Sequence, residues 1–192
     1  SPVYAMERDF SYKKKGTQSM SYDGLVMRVD DFFVNLKGDH QLANASIALC
    51  AGELLSTHGF RIGEENLRTG LSQVIWPGRL EIVRERPTII LDGAHNVEGI
   101  RALTRFLASR FSDRRILLIF GVMKDKEYEK MLGELLPYAS ETIMTMTANQ
   151  RALSPAFMKK FAPKAVTAND APAALNKAKS MSKEEDVIVI TG

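Results

Sequence analysis

The sequence predicts an α/β protein: a mostly parallel sheet with flanking helices, preceded by a β-meander and two helices. Three observations carry this expectation. Apolar runs at 88–91, 115–120 and 186–191 suit strands covered on both faces. From residue 80 onward such runs alternate with amphipathic stretches at helical spacing, the pattern of a right-handed parallel α/β sheet. Ahead of them, residues 1–37 hold only short β-favouring runs divided by turn residues.

In chain order, strands are expected at 18–22, 25–29 and 32–36. Tyr22-Asp23-Gly24-Leu25 and Asp30-Asp31 supply the turns between them. Residues 38–40 lead into a helix over 42–58, closed by Gly59. It is apolar on nearly all sides and is expected to be buried. A second helix covers 64–73, with Leu67, Leu71 and Val74 on one face. Trp76-Pro77-Gly78 then stops helix and turns chain, which places a boundary between a domain at 1–76 and another at 77–192. Strands follow at 80–84 and 88–91, and a helix at 97–111. Asn96 caps that helix and Glu98 complements its dipole. Its Ile100, Leu103, Phe106 and Leu107 fall on one face. A buried strand at 115–120 precedes a helix at 126–136, halted by Pro137. Then come a strand at 142–146, helices at 154–161 and 171–180, and a last strand at 186–191.

With 192 residues, 45% of them hydrophobic and 26% charged, the chain is long enough for a real core. A net charge of +3, with basic and acidic residues interleaved, gives no ground for a nucleic-acid partner. Lys13-Lys14-Lys15 reads as a solvated loop or hairpin end. Cys50 is the single cysteine, which excludes an internal disulfide and reads as a small buried hydrophobe. No apolar run reaches membrane-spanning length and no signal peptide opens the sequence, so a cytoplasmic protein is expected. Ser1 in place of an initiator methionine, and a final strand that stops at its exit turn, give the expectation of a piece of a longer enzyme. Neither a phosphate loop of the Gly-x-x-x-x-Gly-Lys-Ser/Thr kind nor a Gly-x-Gly-x-x-Gly fingerprint is present.

The stretch with most chemistry is Asp92-Gly93-Ala94-His95-Asn96. It stands at the carboxyl end of a central strand, on the turn into a helix, where open α/β sheets bind ligands. Read as residues alone, Asp92 serves equally as a turn former and His95 as a structural histidine.

Three stretches in order, Gly38-Asp39-His40-Gln41-Leu42-Ala43-Asn44-Ala45, Trp76-Pro77-Gly78-Arg79 and Asp92 to Asn96, resemble the folylpolyglutamate synthase and dihydrofolate synthase family of the Mur ligase superfamily. The resemblance implies that residues 1–76 are the end of a central ATP-binding domain. Residues 77–192 would be a Rossmann-like C-terminal ligase domain, truncated at its end, that binds no dinucleotide. It implies an ATP-dependent amide ligase that adds L-glutamate to folate, and also to dihydropteroate, through an acyl phosphate. ATP and Mg2+ are the implied cofactors, with the phosphate loop and metal ligands expected upstream. This chain alone would then be inactive, and the parent is expected to be a monomer with no membrane partner.

Carried over by motif, Asn44, Arg79 and Asp92 would contact ATP, and His95 and Asp92 would act in catalysis. A helix-start hydrogen bond for Asn44 and a surface ion pair for Arg79 are the structural alternatives. His40 and Gln41 take local structural roles. Asp125-Lys126-Glu127, after the next strand, resembles the family's Asp-Lys-Asp and points to the same sheet edge. Val97 departs from the family's proline at that position. Another Mur-type amino-acid ligase, or a non-catalytic nucleotide-binding module, are the alternative functions.

Overall fold

The computed structural model describes residues 2–192, which divide into two compact units, one ending at Trp76 and the other running from Pro77 to Gly192. In the first unit, β1 (Ser11–Lys14), β2 (Ser19–Asp23) and β3 (Arg28–Phe33) form an antiparallel meander, followed by α1 (Asp39–Thr57) and α2 (Glu64–Gln73). Met20 and Tyr22 of β2 and Val29 and Phe32 of β3 turn inward to pack on Leu42, Ala45, Leu49 and Cys50 of α1.

This meander corrects the expected strands. Residues 32–36 do not form a strand of their own: β3 runs through Asp30-Asp31, which had read as a turn. Val29 pairs with Tyr22 and Phe32 with Met20, so three steps on β3 oppose two on β2. The acidic pair is thus a bulge that lets Val29 and Phe32 both face the core. Residues 25–27 are no strand either, because the amides of Leu25, Val26 and Met27 donate to the Glu53 carboxylate of α1. β1, rich in lysine, carried no apolar signal. Lys13-Lys14-Lys15 stand at the hairpin end, Lys13 and Lys14 closing β1 and the Lys15 amide donating to Ser19 O, and Lys14 pairs with Asp39 at 2.7 Å.

Helix α1 buries one face, not all sides: Ile47 and Leu55 are 51% and 44% exposed. A three-stranded meander offers a helix a single apolar surface. Its end is a Schellman turn, in which the Phe60 amide donates to Leu55 O, the Gly59 amide to Ser56 O, and Gly59 adopts φ of 90°.

The second unit is a six-stranded sheet. Its strands are β4 (Glu81–Glu85), β5 (Thr88–Asp92), β6 (Ile116–Phe120), β7 (Glu141–Met144), β8 (Val166–Thr167) and β9 (Val187–Thr191), in the spatial order β4-β5-β9-β6-β7-β8. All neighbours are parallel except β4, which runs antiparallel to β5. The helices are α3 (Val97–Arg110), α4 (Tyr128–Leu135), α5 (Pro155–Lys159) and α6 (Ala171–Met181). Alternate residues of the strands face opposite ways. Ile90, Leu118, Phe120 and Val189 pack with Ile100, Leu103, Met131, Leu132 and Met158 from α3, α4 and α5. Ile89, Leu117, Ile119 and Ile188 pack with Ala174 and Ala178 of α6. All five residues of β6 are buried, as its unbroken apolar run requires.

The last strand in sequence, β9, lies between β5 and β6. The chain therefore leaves β5, skips one position to β6, and returns later to fill the gap. Asp92, Thr191 and Phe120 end these three strands side by side, and ligands of open α/β sheets bind beyond such ends. At the opposite edge, buried Asp186 accepts from Arg115 at 3.0 Å and from the Lys183 amide at 2.8 Å, which ties the start of β9 to that of β6.

Candidate functional site

At the carboxyl edge of the sheet, Asp92 is spent largely on shape. Its Oδ2 accepts from the Leu80 amide at 3.0 Å and its Oδ1 from the Ala94 amide at 3.1 Å. The Gly93 amide donates to Gly78 O at 2.7 Å, and the Gly78 amide donates to Glu81 Oε2 at 2.7 Å. Leu80, with φ of 46°, holds a left-handed conformation that a leucine rarely adopts. The turn carrying Arg79 is thus clasped to the turn that follows β5, and Asp92 holds the residue next to Arg79. Arg79 itself is exposed.

His95 follows on the same turn and is exposed. Its Nδ1 lies 2.9 Å from Gly93 O, which can only accept, so Nδ1 carries the proton and Nε2 is the basic nitrogen of the neutral ring. Asn96 caps α3 as expected, its side chain accepting from the Gly99 amide at 2.8 Å.

His95 forms one wall of a cleft of about 310 Å³ lined also by Gly121, Lys126, Thr147, Arg151 and Gly192. Two glycines bring the strand ends together. A Cβ on Gly192 would stand 2.1 Å from Gly121 O, and one on Gly121 would stand 2.9 Å from Thr145 O. The cationic wall comes from two exit loops zipped to each other. The Lys124 amide donates to Arg151 O and the Leu153 amide to Val122 O, both at 2.8 Å, and Met123 bridges Ala152. Arg151 pairs with Asp125 at 2.8 Å, and Lys126 lies 3.8 Å from the same carboxylate. The hydrogen bond from Arg151 holds the Asp125 carboxyl below the usual carboxylate range.

The Asp125-Lys126 loop stands at the sheet edge that its sequence indicated. Neither Thr147 nor Arg151 belongs to a motif legible in the sequence. The available signal was Thr147-Ala-Asn-Gln-Arg151, a polar turn leaving the next strand, in which Asn149 Oδ1 accepts from the Arg151 amide at 2.8 Å.

Asn44 belongs to the first unit, on the exposed side of the start of α1. Its Nδ2 donates to Gln41 Oε1 at 3.2 Å, and Gln41 Nε2 donates to His40 Nε2 at 3.0 Å. Gln41 is buried, so the three polar residues of that motif form one oriented chain that positions the Asn44 amide.

Among the described residues no three His, Cys, Asp or Glu side chains gather to hold a metal ion. No helix among them is long and apolar enough to cross a membrane.

Residues 78–192 match the family model of the Mur ligase glutamate ligase domain. A dihydrofolate synthase/folylpolyglutamate synthase of Bacillus subtilis is 42% identical over 107 residues, which cover 55% of this chain and 25% of that protein. The folylpolyglutamate synthase of Lacticaseibacillus casei is 33% identical over 153 residues, 77% of this chain and 36% of its own. Among solved structures, Mycobacterium tuberculosis folylpolyglutamate synthase complexed with ADP and AMPPCP matches with a TM-score of 0.86 at 28% identity, covering 97% of this chain and 46% of that one. The chain spans less than half the length of each of these relatives.

Proposed function

Because the chain belongs to the Mur ligase family through its glutamate ligase domain, we propose that it serves an ATP-dependent ligase that joins L-glutamate to a folate, and also to dihydropteroate. The observation that carries this reading is the cationic cleft at the carboxyl edge of the sheet, within the matched domain. Arg151 would meet a carboxylate of the incoming glutamate.

The reaction proposed has two steps. A carboxylate oxygen of the acceptor attacks the γ-phosphorus of ATP, the bond to the bridging oxygen breaks, and ADP leaves an acyl phosphate. The glutamate amine then attacks the acyl carbon, the C–O bond to phosphate breaks, and inorganic phosphate departs. The amine must lose a proton on the way, and His95 Nε2, the basic nitrogen of the ring when Nδ1 donates to Gly93 O, would receive it. Arg79 would neutralise phosphate oxygens, and Asp92 would act through the clasp that fixes the Arg79 turn. Asn44, positioned by Gln41, would contact adenine or ribose. A bound nucleotide and its metal would supply charge neutralisation at the γ-phosphate.

The test uses the complete product of the gene that encodes these residues. It is given Mg-ATP, L-glutamate and either dihydropteroate or a reduced folate, and product mass is followed. One added glutamate is expected, and His95→Ala should cut kcat by about 10²–10⁴-fold with ATP affinity unchanged. No glutamate on either acceptor would move the function to another amino acid or to nucleotide binding alone.

A further inference from the structure

We propose that Arg151 reads the side-chain carboxylate of the incoming amino acid, and that Asp125 is a built-in stand-in for that carboxylate, exchanged for it on binding. The inference rests on the cleft being the amino-acid site. Three features of the two zipped loops carry it.

The backbone of Arg151 is fixed while its side chain is not. Its amide donates to Asn149 Oδ1 and its carbonyl accepts from Lys124. Its side chain is 69% exposed, and Asp125 is its only side-chain partner among the described residues. The pairing also leaves the guanidinium fork underused, since one nitrogen meets one oxygen at 2.8 Å. A carboxylate arriving in the cleft can take two parallel bonds from the same fork. Finally, Asp125 has a second cation waiting, Lys126, now 3.8 Å from its other oxygen.

Exchange therefore swaps one carboxylate on Arg151 for another and strands no charge. Both partners are solvated, so the pair to be broken is weak. The chemistry selected is an α-amino acid with an anionic side chain. An amide side chain offers the fork one acceptor in place of two and turns an N–H pair toward its donors.

The test follows the amide resonances of Gly121 and Gly192 in the 192-residue chain during titration with L-glutamate and, separately, L-glutamine. Asp125→Asn should tighten L-glutamate binding roughly two- to fivefold, the range an exposed ion pair supports. Arg151→Ala should abolish the preference for glutamate over glutamine, and adding Asp125→Asn to it should change nothing further. Unchanged or weaker binding by Asp125→Asn, or a preference kept by Arg151→Ala, would overturn the exchange while leaving the cleft as the amino-acid site. If L-glutamate shifts neither glycine in any of these chains, the cleft reading fails and the exchange with it.

Discussion

Glu53 is 2% exposed and its carboxylate accepts four hydrogen bonds. Its Oε2 accepts from Tyr22 Oη at 2.7 Å and the Leu25 amide at 3.0 Å, and its Oε1 from the amides of Val26 at 2.9 Å and Met27 at 2.7 Å. Only a carboxylate offers acceptors on both sides. In Glu53→Gln one oxygen becomes an NH2 group, and at least one backbone N–H of the turn loses its acceptor in a buried place. The expected loss is about 2–4 kcal/mol, the cost of an unmade buried bond to a charged group, read as a lower urea midpoint at unchanged slope. Tyr22 answers to the same carboxylate. Burial first, and Glu53 second, raise its pKa far above the ordinary tyrosine range. The unfolded phenol ionises near pH ~10 while the folded one keeps its proton, so the folded state binds more protons and stability falls as pH rises past that point. Tyr22→Phe should be less stable at neutral pH yet lose less between pH ~9 and ~11 than wild type. Parallel alkaline limbs in the two proteins would mean that Tyr22 is not the group responsible.

Strand ends, rather than strands, decide what the second unit can hold. β6 reaches Phe120, and Gly121 then passes so close to Thr145 that a methyl group would stand 2.9 Å from its carbonyl oxygen. Gly121→Ala must push the ends of β6 and β7 apart, at a cost of about 1–3 kcal/mol by analogy with overpacked cores. The local effect should be visible as faster hydrogen exchange of the Thr145 amide, which donates to Phe120 O at 2.9 Å. Wild-type exchange there would show that the strand ends have slack. The same contrast explains what could be read from sequence. β6, the Asn96 cap and the stop at Gly59 are local signals, each written within a few residues. So is Asp92 to His95, a strand exit of small and polar residues. The bulge at Asp30-Asp31 was not legible, because its cause is the spacing of Met20 and Tyr22 on another strand. The 25–27 turn depends on Glu53, more than twenty residues away. Arg151 joins the cleft only because its loop pairs with residues 122–124, and no local pattern encodes that partnership.

Each unit carries its own core, and this sets what the chain does as a whole. One apolar cluster, centred on Met20, Phe32, Leu42 and Leu49, is built wholly from the first unit. Two others, on opposite faces of the six-stranded sheet, are built wholly from the second. A domain is defined by such a core, and a chain of about 115 residues is of a size that folds alone. Residues 77–192 expressed by themselves should therefore give a dispersed amide spectrum and a single cooperative urea transition. Every residue lining the cleft lies in this unit, as do the Asp92 clasp and the Asp125–Arg151 pair. L-Glutamate should accordingly shift Gly121 and Gly192 in the isolated unit with the affinity found for the 192-residue chain. Asn44 lies outside it, so deleting the first unit removes only a nucleotide contact in the proposed scheme. Equal glutamate affinity with and without residues 1–76 would make amino-acid capture a property of one domain. A collapsed, poorly dispersed spectrum would instead make the sheet dependent on the first unit for its stability, and the cleft could then form only in the longer chain.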